Sequence, residues 1–112
     1  MATKVFILVG SGDKEVVKWP GLKYPWKATT EKWMEEVKVI LFGPAEKLAA
    51  YDSEVQQKIR DLQEAGVEIM ACKACSDEWN ITGTLEEAGI EVIYVGPVIS
   101  QLLKDGWASL SF

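Results

Sequence analysis

Cys72-Lys73-Ala74-Cys75 is the segment of this sequence whose residue types and spacing point most directly to chemistry. Cys72 follows the apolar run Val67 to Ala71 and leads into a stretch where Ser76 or Asp77 can cap a short helix. The thiol would then face backbone N–H groups with Lys73 beside it. Such surroundings favour the thiolate, which is the nucleophilic form of cysteine. The plainer reading, a small buried hydrophobe, carries comparable weight because free cysteine is among the most buried residue types. The pair also satisfies C-x-x-C between a strand and a helix, the placement used for dithiol redox work.

The chain contains no histidine, which removes the commonest general base and the commonest metal ligand together. Serine–histidine and cysteine–histidine mechanisms are therefore excluded within one chain. Two thiolates are too few for a closed zinc site, which would need carboxylates or a second subunit. No metal and no cofactor are expected.

Gly10-Ser11-Gly12 follows the first apolar run, but Glu15 stands where a dinucleotide fingerprint needs its third glycine, and acidic residues there repel phosphate. A tight turn is the expected role. Thr84-x-x-Glu87 matches a capping box, yet Gly89 stops any helix after barely one turn. Trp19, Tyr24, Trp26 and Trp33 are dense enough for a lid, a ligand-stacking surface or a subunit contact, although large aromatics more often pack into the core and interfaces than against a ligand.

The elements that must position the cysteines follow from hydrophobic runs. Lys4 to Val9, Val37 to Phe42, Val67 to Ala71 and Glu91 to Val95 read as core strands, the first, second and fourth closed by Gly10, Gly43-Pro44 and Gly96-Pro97. Between the second and third, Ser53-x-x-Gln56 opens a helix with Val55, Ile59 and Leu62 on one stripe, closed by Gly66. Pro44 and Pro97 suit a first helical turn, so Ala45 to Tyr51 and Val98 to Lys104 read as short helices. Residues 14 to 36 are expected to form a loop and a short helix, because Trp19-Pro20-Gly21 and Tyr24-Pro25-Trp26 interrupt any longer one. Trp107 to Phe112 alternates as a half-buried terminal strand.

This alternation implies a mainly parallel, five-stranded sheet with helices on both faces, an α/β flavodoxin-like three-layer domain. Reactive groups in such sheets collect at the carboxyl ends of the strands. Here that edge gathers Gly10 to Asp13, Gly43-Pro44, Ala71 to Ser76 and Gly96-Pro97. Cys72 and Cys75 are the expected catalytic residues, with Lys73, Ser76, Gly43 and Gly96 expected to meet the substrate.

At 112 residues with 48% hydrophobic composition the chain is the size and mixture of one globular domain, spanning 1–112. A net charge of −5 opposes binding to nucleic acid or an anionic membrane. The longest apolar run, Val5 to Val9, is far short of the ~20 residues that span a bilayer. Two cysteines three positions apart are poor disulfide staples, so a cytoplasmic, reducing setting is expected.

Gly66-Val67-x-x-x-Ala71-Cys72, Gly89-x-x-Val92, Val95-Gly96 and Gly106-Trp107-Ala108-x-Leu110, in this order and spacing, resemble the DsrE/DsrF-like family of small sulfur-relay proteins, the family that includes YchN. The resemblance covers roughly residues 37 to 112 and the first strand. It implies a flavodoxin-like subunit assembled as a homo-oligomer, a trimer or hexamer, whose cysteine after the third strand carries sulfur as a persulfide. That cysteine corresponds to Cys72, and sulfur donor and acceptor proteins would be its partners. The sequence departs from the family pattern in its Trp/Pro-rich stretch and in Cys75. Three functions follow: a sulfur carrier on Cys72, a dithiol redox protein using Cys72 and Cys75, or a non-catalytic oligomeric binding module.

Overall fold

The computed structural model describes residues 3–112. Five parallel strands form one sheet in the order β4-β3-β2-β1-β5. They are β1 (Lys4–Val9), β2 (Glu36–Leu41), β3 (Glu68–Cys72), β4 (Glu91–Ile93) and β5 (Ala108–Ser111). The helices are α1 (Lys14–Val16), α2 (Lys23–Thr30), α3 (Ala45–Tyr51), α4 (Ser53–Glu64), α5 (Lys73–Glu78), α6 (Thr82–Glu87) and α7 (Val95–Lys104).

Connections between parallel strands are right-handed, so the direction of each crossover decides which face its helix covers. Three successive crossovers carry the chain outward from β1 to β4, and they bury Val5, Ile7, Val9, Val39, Leu41, Ile69 and Ala71 beneath Leu22, Ala49, Val55, Ile59, Leu62 and Leu85. The last crossover returns from β4 to the far side of β1. Its helix α7 covers the opposite face, where Phe6, Ile40, Met70 and Cys72 pack with Val95 and Leu102. The result is the three-layer α/β arrangement expected from the strand-helix alternation.

Residues 14 to 36 differ from expectation. Lys14 to Thr30 form an almost continuous helical run, in which Val17–Gly21 is a π-helical turn linking α1 to α2, and Glu36 already belongs to β2. Pro20 lacks an N–H and its ring would strike the carbonyl four residues back in an α-helix. The wider π turn accommodates it, and the Leu22 N–H closes onto the Val17 carbonyl at 2.9 Å. Gly21 permits the close approach to β1, since a Cβ there would lie 3.1 Å from Val9 Cγ1. Pro25 falls in the first turn of α2, where a missing N–H costs nothing.

Three boundaries also shift. Helix α4 is capped by Asp52, whose carboxylate accepts from the Glu54 and Val55 N–H groups at 3.0 Å, and Ser53 is the first helical residue. Gln56 reaches back to the Ala50 carbonyl. Helix α7 starts at Val95, so β4 ends earlier and Gly96-Pro97 lies inside the helix's first turn. Helix α5 begins directly after Cys72, which places Ser76 and Asp77 in its body instead of at its cap.

Candidate functional site

The loop after β2 turns through Gly43, whose φ of +84° is a left-handed conformation suited to glycine. This turn starts α3 so that Ala45, Ala49 and Ala50 bury against the sheet, and Glu46 is carried inward with them. Glu46 is fully buried. On the neighbouring strand, Ile69 to Cys72 are buried, and the chain passes without a loop into α5, bringing Cys75 back over the strand end.

These placements bring together three groups from three elements. A carboxylate oxygen of Glu46 and the sulfurs of Cys72 and Cys75 all lie within 4.8 Å of one another. Cys72 is 6% exposed and Cys75 is half-buried; both are free thiols. The Gly43 N–H donates to Glu46 Oε2 at 3.2 Å, while Oε1 is buried without a hydrogen-bond partner.

Burial is the larger influence and pushes the Glu46 carboxyl up to about 7, against the opposing pull of the Gly43 N–H. Burial likewise pushes the Cys75 thiol up to about 11, helped by the adjacent Cys72 sulfur. At neutral pH the Cys75 thiol therefore keeps its proton and the Glu46 carboxyl is partly protonated. As arranged, the cluster can hold a thiol next to a carboxyl that changes charge near neutrality, and it offers two sulfur ligands and one oxygen ligand.

Of the residues expected from sequence, Cys72, Cys75 and Gly43 are gathered here. Lys73 is held by Asp77 Oδ2 at 2.6 Å, with its ammonium 5.7 Å from the Tyr94 ring centre. Ser76 is fully buried, its hydroxyl donating to the Lys73 carbonyl at 3.2 Å and lying 2.6 Å from Thr82 Oγ1, which couples α5 to α6. Gly96 sits in the first turn of α7 with open space where a Cβ would stand. Glu46 was not anticipated. An acid in the first turn of a helix ordinarily reads as a surface partner of the helix dipole. The signal that would have found it is its place one turn after the β2 loop, at the same sheet edge as Cys72.

No curated protein matches the chain by sequence. Among solved structures, a conserved protein of unknown function from Bacteroides thetaiotaomicron, BT1422, is 29% identical with a TM-score of 0.93, over 98% of this chain and 95% of that one. The YchN protein from E. coli shares the fold at 16% identity and a TM-score of 0.77, with 100% of both chains covered. A protein of unknown function from Methanobacterium thermoautotrophicum, MTH1491, does so at 18% and 0.72, covering 97% and 98%. The DsrE/DsrF-like family model matches residues 4–112, and the chain belongs to that family.

Proposed function

We propose that this protein is a small cytoplasmic sulfur-relay protein that carries sulfur as a persulfide on Cys72. The observation that carries the reading is the position of Cys72 at the carboxyl end of β3 in a chain of the DsrE/DsrF-like family. In loading, the Cys72 thiolate attacks the outer sulfur of a donor persulfide R–S–SH. The donor's S–S bond breaks, Cys72–S–SH forms, and R–S⁻ leaves with the electron pair. In delivery, an acceptor thiolate attacks the outer sulfur and Cys72 leaves as thiolate. Neither step needs an outside oxidant or reductant.

Cys75 bears on how long the persulfide lasts. As a thiolate it would attack Cys72 Sγ, close a disulfide and expel HS⁻. Held up to about 11, it remains protonated at neutral pH and is a poor attacker. In this reading Gly43 orients Glu46 beside the thiols, Ser76 anchors α5, and Lys73 and Gly96 are proposed to meet the substrate. The partners are sulfur donor and acceptor proteins, met by a homo-oligomer.

A second reading, a dithiol redox protein, draws on one observation: the two sulfurs are within 4.8 Å of each other, close enough for a disulfide after modest side-chain movement. The test that separates the two is transfer. Protein loaded from a polysulfide and freed of excess should pass one sulfur to a small acceptor thiol, with Cys75→Ser still active and Cys72→Ser inactive. Transfer that survives Cys72→Ser contradicts the carrier reading. A requirement for both cysteines, with a reversible disulfide as the only product, supports the redox one.

A further inference from the structure

The cysteine site holds a buried acid, and the lysines next in sequence to its members face other groups. Lys73 is engaged by Asp77, and the ammonium of Lys47, the residue after Glu46, lies 4.3 Å from the Trp79 ring centre. The Gly43 N–H fixes Oε2 and leaves Oε1 buried without a partner. Buried polar atoms are rarely left so, and each exception calls for an explanation. Both thiols of the C-x-x-C lie on the same spot.

We propose that Glu46, Cys72 and Cys75 form a three-ligand site for one thiophilic divalent cation of the zinc type. Two thiolates alone are too few for such an ion, and Glu46 supplies the carboxylate from a separate element. Around a tetrahedral zinc, ligand atoms at bond lengths of ~2.0 to 2.3 Å sit ~3.5 to 3.8 Å from one another. A cluster already within 4.8 Å reaches that spacing by a contraction of about 1 Å, the scale of a side-chain adjustment. The donor set selects the ion: sulfur ligands suit zinc and its softer relatives, whereas calcium and magnesium require shells of oxygen. The Gly43 N–H then serves as the contact that orients the ligating carboxylate.

Three protein ligands leave a fourth position open, the arrangement of zinc sites that exchange a ligand. An ion there would tie α3 to α5 and occupy the Cys72 sulfur that loads a persulfide. Metal and sulfur therefore compete for Cys72, and the site holds one or the other.

The test uses the whole chain, reduced with a non-thiol phosphine and freed of metal. Cobalt(II) is added as a spectroscopic probe, and zinc(II) against a chromophoric chelator. The native sequence should take up one equivalent per chain, with thiolate-to-cobalt charge-transfer bands and the visible bands of tetrahedral cobalt. Glu46→Gln should weaken zinc roughly tenfold or more, and Cys72→Ser or Cys75→Ser should abolish the charge-transfer bands or halve them. Bound zinc should slow alkylation of both cysteines. The wild-type spectrum does not depend on any variant folding, so absence of stoichiometric uptake overturns the proposal outright. Equal zinc affinity of Glu46→Gln and the native sequence overturns the role of the carboxylate. Persulfide loading is measured separately on metal-free protein, so failure of the sulfur reading leaves this result standing, and the reverse.

Discussion

A carboxylate oxygen of Glu46 on α3 and the sulfur of Cys75 on α5 lie within 4.8 Å of each other at the carboxyl end of the sheet. The sheet brings them together: parallel pairing of Leu41 with Ala71 puts the ends of β2 and β3 side by side, and each strand releases a helix at the same level. Several measurable properties depend on that meeting.

The first is the pH dependence of stability. Glu46 is raised from its ordinary 4.5 to about 7 by burial, so the folded state holds its proton more tightly than the unfolded chain does. The stability this contributes is fully present below 4.5 and is lost as the pH rises through about 7. A shift of this size corresponds to at most about 3 kcal/mol. Urea titrations of reduced, chelator-treated protein across this window should show the native sequence losing stability relative to Glu46→Gln. Parallel profiles would contradict the assignment. The carboxylates of Asp52, Glu54 and Asp77, lowered chiefly by Lys14, Lys18 and Lys73, act the other way and lose their contribution in acid, in both proteins alike.

Cys75 should alkylate slowly at neutral pH and accelerate well above the ordinary thiol range, toward about 11. Because burial is the larger cause and Cys72 the next, Cys72→Ser should move this profile down without restoring a free thiol's value. Rates of iodoacetamide labelling against pH, followed by peptide mass, measure both.

The cap of α4 separates two adjacent residues. Asp52→Ala removes the acceptor for two N–H groups and the partner of Lys14 at 3.0 Å, and should cost about 1 kcal/mol, within the usual range for an N-cap. Ser53→Ala changes the first helical residue and should be close to neutral. Chemical denaturation of the two variants compares them directly, and equal losses would contradict the cap.

Gly43→Ala forces a side chain into a left-handed turn at φ +84°. The nearest atom to the new Cβ is 3.7 Å away, so the cost is conformational, about 1 to 2 kcal/mol, without a clash. The same variant should disturb the N–H that orients Glu46. A drop in zinc affinity along with the stability loss is the expected outcome, read by denaturation and by chelator competition.

Much of the fold was legible because its signals are local. The β-branched run Lys4–Val9 and the stripe Val55, Ile59, Leu62 announce a buried strand and an amphipathic helix before any partner is known. The helical run from Lys14 to Thr30 was not legible, because Pro20 reads as a breaker unless the π turn that accommodates it is seen. Asp52 and Ser53 are both good caps, and only backbone geometry chooses between them. The site was half legible. The cysteines identify themselves by spacing, whereas Glu46 depends on the register between β2 and β3, which no local pattern encodes.

The most direct test of the central claim is the intact mass of the reduced, metal-free protein after incubation with a persulfide donor. The account predicts gain of one sulfur atom, reversed by reductant, retained in Cys75→Ser and absent in Cys72→Ser. A native protein that gains no sulfur, or that only loses two hydrogens by closing a Cys72–Cys75 disulfide, would contradict it.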